Sequence, residues 1–227
     1  MRRRQPLDHR IRADPLTLVL LHGLGTGPSA WKPQLETWGH SAVAPDLVPA
    51  YRRGFEAAVD EAGRLVGAGD EVCGLSLGGL VALRVAQRVE VGRLVVCAGF
   101  DRLPASLRRR TRVLALAARV LPRGFLHRQL VAELPESYRE TALQEIAPLR
   151  PAEISRLMWQ AAGSIVDPSR IRAPTTVVAC GERDQANLPL ARSLAARLAN
   201  ARLEIVPNAG HVANLDNPEE FSRLLVS

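Results

Sequence analysis

Val72-Cys73-Gly74-Leu75-Ser76-Leu77-Gly78-Gly79-Leu80 decides the reading of this chain. Its first residues end an apolar, strand-like run. Its last residues open Leu80-Val81-Ala82-Leu83-Arg84-Val85-Ala86, which reads as a helix. Between them Gly74-Leu75-Ser76-Leu77-Gly78 is a G-x-S-x-G pattern with Ser76 at its centre. Set between a strand and a helix, this pattern makes a sharp, strained turn that presents the serine as a nucleophile. The glycines follow from the sharpness: a β-carbon two residues either side of the serine would collide with neighbouring backbone. The motif is short, so its meaning depends on what the rest of the chain supplies.

Upstream, Leu16-Thr17-Leu18-Val19-Leu20-Leu21 is a continuous apolar run, the pattern of a strand buried on both faces. It ends in His22-Gly23-Leu24-Gly25-Thr26-Gly27. Pro28 to Trp38 reads as helical, with Ser29 as its cap. Ser41-Ala42-Val43-Ala44 predicts a second strand, and Phe55 to Val66 an amphipathic helix with Phe55, Val59, Ala62 and Val66 on one side. The N-terminal fifteen residues are polar and basic, with a short edge strand predicted over Leu7 to Ile11.

Downstream, Arg93-Leu94-Val95-Val96-Cys97-Ala98 is the next strand, ending in Gly99-Phe100-Asp101. The alternation of strand and helix implies a mostly parallel α/β sheet with helices on both faces and ligands at the strands' carboxyl ends. Residues 102–168 break this rhythm. Their segments are all helical, punctuated by Pro122, Pro135, Pro148 and Pro151, and they predict a helical cap inserted into a core of residues 1–101 and 169–227. The rhythm resumes with Thr175 to Cys180, a strand ending in Gly181-Glu182-Arg183-Asp184. After a helix from Leu188, Arg202 to Val206 is the last strand, followed by Pro207-Asn208-Ala209-Gly210-His211 and a final helix from Pro218, capped by Asn217.

A serine hydroxyl needs a base to take its proton and a third group to orient that base. Of five histidines, only His22 and His211 follow strands at their carboxyl ends. His22 reads as a loop-building residue bonded to backbone, which leaves His211 as the base. Asp184 ends the preceding strand and gives the order Ser76, Asp184, His211 of an α/β-hydrolase triad. Asp101 also follows a strand and is the rival acid. Two backbone N–H groups are placed to receive a developing oxyanion, those of Leu77 and Leu24.

Composition narrows the alternatives. The net charge of +7 is carried mostly by arginine, with clusters at Arg2-Arg3-Arg4 and at Arg108-Arg109-Arg110 with Arg112. No interleaved aromatics accompany them, so no nucleic-acid partner is expected and the arginines read as solvated. Cys73, Cys97 and Cys180 are widely spaced and odd in number, against a disulfide scaffold or zinc site. No secretory signal and no run of transmembrane length is seen, and a reducing cytoplasm is the expected compartment. No metal or phosphate-loop motif is present and no cofactor is expected. The expected partner is a small-molecule substrate, bound by a monomer or homodimer.

With these segments in hand the chain resembles the α/β-hydrolase family over nearly its whole length. The ending Gly210-His211-Val212-Ala213-Asn214-Leu215-Asp216-Asn217-Pro218 is similar to that of small esterases, enol-lactonases and carbon–carbon bond hydrolases. The resemblance implies Ser76 as nucleophile, Asp184 as acid, His211 as base, Leu24 and Leu77 as oxyanion donors, and a small carboxylic ester or lactone as substrate. Carbon–carbon or thioester hydrolysis with the same triad is the alternative, with Arg112 or Arg156 available to hold a second carboxylate. A non-catalytic ligand-binding protein on this fold is a further alternative. The chain departs from the family in one respect: family members usually carry an antiparallel hairpin before the strand ending in His22-Gly23, and here that hairpin is expected to be shortened or partly absent, with a sheet of six to seven strands.

Overall fold

The computed structural model describes residues 16–226; the strand expected over Leu7 to Ile11 and any N-terminal hairpin lie outside them. The first half of the chain runs β1 (Leu18–Leu21), a 3-10 turn (Pro28–Trp31), α1 (Lys32–Trp38), β2 (Ala42–Val43), α2 (Val48–Arg53), α3 (Phe55–Leu65), β3 (Glu71–Leu75), α4 (Leu77–Ala86) and β4 (Arg93–Cys97). Four helices follow: α5 (Ala105–Ala118), α6 (Arg123–Leu130), α7 (Glu136–Ile146) and α8 (Pro151–Gly163). The chain closes with β5 (Thr175–Gly181), α9 (Leu188–Ala195), β6 (Ala201–Val206), α10 (Ala213–Asp216) and α11 (Pro218–Leu224).

The six strands form one parallel sheet in the order β2-β1-β3-β4-β5-β6. β1 and the last four residues of β3 and β4 are wholly buried, as their unbroken apolar runs require. From β1 the chain winds outward to β2, and from β3 it winds the other way to β4. With right-handed crossovers, that reversal puts α1 on one face and α3 and α4 on the other. It also opens a crevice between the carboxyl ends of β1 and β3, the place where parallel sheets bind ligands. α11 packs beside α1, with Trp31 against Phe221 at 5.9 Å between ring centres.

Local details depart from the sequence reading in places. β2 is only two residues long; Pro45, just beyond it, has no N–H to extend a ladder. Ser29 caps nothing: its N–H and its hydroxyl both donate to the Glu145 carboxylate of α7, at 2.9 and 2.8 Å. The short helices α2 and α10 were not foreseen. Asn217 does cap α11, its side chain accepting the Glu220 N–H at 3.4 Å, with Pro218 at the first position.

The helices α5 to α8 bridge β4 and β5. α5 packs along α8, and α7 packs against the 3-10 turn at Pro28–Trp31. The two ends of the bridge meet: the Val166 N–H donates to the Asp101 carbonyl at 2.8 Å. The three cysteines are free and buried in the strands, and burial pushes the Cys180 thiol up to about 12.

Candidate active site

Ser76 sits in the one-residue gap between β3 and α4, with φ 54° and ψ −116°. This is strained backbone for a residue with a β-carbon, and it persists because the surroundings fix it. The Ser76 N–H donates to Cys97 O of β4 at 2.8 Å, and Ser76 O accepts the Leu80 N–H of α4 at 3.1 Å. The flanking glycines leave no alternative. A β-carbon on Gly74 would lie 2.2 Å from Gly78 O, and one on Gly78 would lie 2.1 Å from Leu21 O. β3, α4 and β1 therefore approach one another backbone to backbone, and the serine is lifted onto the crevice at the reversal of winding.

His211 reaches the same crevice from the loop after β6. Its Nε2 is 3.0 Å from Ser76 Oγ, and its Nδ1 is 2.9 Å from Asp184 Oδ2, after β5. With the serine hydroxyl donating to Nε2, the imidazole proton lies on Nδ1 and points at the carboxylate. The loop carrying His211 is tied at several points. Gly210 N–H donates to Asp216 at 2.7 Å, and Arg183 N–H donates to Ala209 O at 2.8 Å. Asn214, on α10, donates to Ala30 O at 2.6 Å and its carbonyl accepts from Gln34 at 3.1 Å.

Asp184 has a second partner that the sequence reading missed. Asn187 points its side-chain amide at both Asp184 oxygens, each at 2.9 Å, and its backbone N–H donates to Oδ1 at 3.2 Å. Only the three-residue spacing hinted at this, and such spacing is common in turns. Burial pushes the Asp184 carboxyl upward, but hydrogen bonds from His211 and Asn187 and the nearby imidazole outweigh it and hold it below its ordinary range. Burial likewise depresses His211, and the hydrogen bond and charge of Asp184, with Glu133 and Asp216 further off, outweigh that and raise it.

Asp101 stands apart from this chain. It is 1% exposed and pairs with Arg197 at 2.5 Å and Arg102 at 3.3 Å. His22, fully buried, has the loop-building environment expected of it. The Leu47 N–H can only donate, so Nε2 accepts it at 2.9 Å and Nδ1–H is left to donate to Gly23 O at 3.0 Å. Its carbonyl accepts the Tyr51 hydroxyl at 2.6 Å, and burial lowers its pKa despite that backbone bond and the charges of Asp46 and Glu145.

Leu24, Ser76 and Leu77 all line one cavity. Leu77 opens α4, so its N–H has no partner within the helix. Gly23 packs so closely on the elbow that a β-carbon there would lie 3.2 Å from Ser76 Cβ. The cavity has a volume of about 280 Å³ and a mostly apolar lining. Phe100, Leu103, Leu107, Leu157, Met158 and Leu190 are in the lining. Thr111 and Asn187 supply polar groups to the lining, and among the described residues no lysine, arginine or acidic residue lines it. Arg112 stacks on Trp159 at 4.8 Å, outside this cavity, and Arg156 donates to Arg52 O. Neither arginine is placed to hold a second carboxylate in it.

A parallel sheet wound in this order, with a strained serine turn at its reversal, defines an α/β-hydrolase architecture. The sequence model of the alpha/beta hydrolase family matches residues 18–224, and the chain belongs to that family. Among curated proteins it is similar to RutD of Rhizobium rhizogenes, provisionally a carbamate hydrolase. Identity is 28%, covering 93% of this chain and 91% of that one. Among solved structures it is similar to a thermophilic esterase from Thermogutta terrifontis, with TM-score 0.75 and 22% identity over 93% of this chain and 88% of that one. An enol-lactonase from Burkholderia xenovorans superposes with TM-score 0.66 and 21% identity, over 95% and 92% of the two chains.

Proposed function

We propose that the protein is a serine hydrolase that cleaves a small carboxylic ester or lactone through an acyl-enzyme. The observation that carries the reading is the unbroken line Ser76 Oγ, His211 Nε2 and Nδ1, Asp184 Oδ2, with contacts of 3.0 and 2.9 Å, at the wall of an apolar cavity. Ser76 Oγ attacks the acyl carbon while His211 Nε2 takes its proton. The new imidazolium is held by Asp184, whose low pKa keeps it ionised and whose orientation is fixed by Asn187. Negative charge on the former carbonyl oxygen is received by the N–H groups of Leu24 and Leu77. His211 returns its proton to the leaving alkoxide; an ester's alcohol departs, and a lactone's hydroxyl stays tethered to the acyl group. A water, deprotonated by His211, then attacks the acyl-enzyme, and collapse, with the His211 proton passing to Ser76 Oγ, releases the acid and restores the resting triad.

Residues 102–168 act in this reading as the cap that closes the acyl pocket, since Leu103, Leu107 and Thr111 from one end and Leu157, Met158 and Ala161 from the other line it. The same machinery serves a carbon–carbon or thioester substrate. Among the described residues the lining holds no cationic group, which favours the ester or lactone over a doubly charged dienoate.

The test is a panel of nitrophenyl esters of increasing chain length, with a lactone and a carbamate alongside, run on wild type and Ser76→Ala. Hydrolysis of at least one member and its loss in Ser76→Ala is the expected result. Turnover untouched by that substitution refutes the mechanism.

A further inference from the structure

Helix α5 has two apolar sides, and only one is used by the fold. At 100° per residue, Leu107, Thr111, Ala115 and Ala118 share the inner side. Leu107 and Thr111 line the cavity, and Ala115 and Ala118 are buried. The opposite side carries Val113, Leu116 and, in the turn that follows, Val120, at 60%, 56% and 82% exposure. Phe125 at the start of α6 is also exposed. Isolated exposed leucines need no explanation, but a cluster on consecutive turns of one helix does.

The charge around this cluster has one sign. Residues 102–132 contain eight arginines and no aspartate or glutamate, whereas the whole chain has a net charge of only +7. Arg109 and Arg110 continue the outer side toward the amino end of α5; Arg119 and Arg123 flank it at the other end. Among the described residues, the ion pairs found elsewhere on the surface involve none of these four. A second copy packed face to face would bring these unpaired arginines against their own kind. An anionic surface with an apolar interior matches both features at once: guanidinium groups at the headgroups and the aliphatic residues among the acyl chains.

We infer that the outer face of α5, with the turn at Val120 and the start of α6, docks the protein on an anionic lipid bilayer. The docking is peripheral, since no helix among the described residues is long and apolar enough to cross a membrane. It places the inner side of the same helix, and the cavity behind it, next to the lipid phase, where apolar substrates concentrate. The docking does not depend on the reaction assigned to Ser76.

The experiment is co-sedimentation of the full chain with vesicles of phosphatidylcholine alone and of phosphatidylcholine mixed with phosphatidylglycerol, at low and at moderate salt. The expected result is binding to the mixed vesicles only, weakened but retained at moderate salt. Arg109→Gln/Arg110→Gln is expected to lower partitioning by about fivefold for each charge removed. Val113→Ser/Leu116→Ser is expected to lower it by about tenfold, while circular dichroism and hydrolysis of a soluble ester stay at wild-type level. Failure to bind the mixed vesicles overturns the inference. So does binding indifferent to the Val113/Leu116 change, which would show adsorption of arginines to any polyanion, an acidic protein included. Loss of ester hydrolysis in Ser76→Ala is measured separately, so either reading can fall without the other.

Discussion

Two aspartates end strands at the carboxyl edge of the sheet, and replacing each by asparagine should give opposite phenotypes. In Asp184→Asn the carboxylate facing His211 Nδ1 at 2.9 Å becomes an amide. The imidazole loses the acceptor that fixes its tautomer and the charge that stabilises its protonated form. In serine-histidine-aspartate systems this costs about four decades in kcat, or roughly 5.5 kcal/mol of transition-state stabilisation. Asp101→Asn removes the charge opposite Arg197 and Arg102. Both arginine side chains are partly exposed, at 35% and 53%, so water can take up their charge. The cost should stay near 1–2 kcal/mol, below the 3–5 of a fully buried pair broken on one side. For a chain of this size that is a fall in Tm of roughly 2–8 °C. The assay is kcat/KM on the best nitrophenyl ester together with a thermal melt of each variant. Asp184→Asn should be nearly inactive and folded; Asp101→Asn should melt earlier and turn over normally. An inactive Asp101→Asn beside an active Asp184→Asn would refute the assignment of the acid.

The raised pKa of His211 sets the acid limb of the activity profile. The base must be neutral, so kcat/KM should climb with pH through a value above 6.5 and then level off, which a profile on a soluble ester will show. Asp184 has a depressed pKa, so its contribution to stability is present above its unfolded value of about 3.8 and is lost as pH falls through the folded one. Asn187→Ala weakens that depression. The stability gap to wild type in urea melts should therefore be largest at neutral pH and shrink below about pH 4. Glu145 positions the loop that carries Leu24 by accepting two hydrogen bonds from Ser29. Glu145→Gln keeps one good acceptor and loses the charge, worth about 1 kcal/mol. It should lower kcat about fivefold with little change in KM, and an unchanged kcat would remove Glu145 from that role.

The fold was legible because the central strands β1, β3, β4 and β5 are largely apolar runs with glycines at or just past their carboxyl ends, a pattern that a parallel sheet demands and little else produces. Ser76, Asp184 and His211 could be placed at strand ends for the same reason, and the structure brings their side chains within hydrogen-bonding distance. The choice between Asp101 and Asp184 was harder. Both end a strand, and only Arg197, almost a hundred residues from Asp101, shows which carboxylate is already engaged. Glu145 left no trace and Asn187 only its spacing from Asp184, because a single polar residue on a helix or in a turn reads the same whether it faces water or a carboxylate. Ser29 shows the opposite error: its place before a helix predicts a cap, yet a carboxylate from α7 claims both of its donors.

The hydrogen bond from Val166 to Asp101 closes the α5–α8 bridge at its base, as a clasp closes a loop of chain. β4 and β5 are already neighbours in the sheet, so their spacing does not depend on what is threaded between these two residues. Lengthening such a loop costs little: each doubling of its length adds only about 0.6 kcal/mol of closure entropy. The bridge can therefore vary in length, provided what replaces α7 still gives Ser29 the acceptors of Glu145. Another helical segment spliced between Asp101 and Val166 could reshape the acyl pocket and the outer arginine face together, while the elbow and the loops after β5 and β6 keep their places.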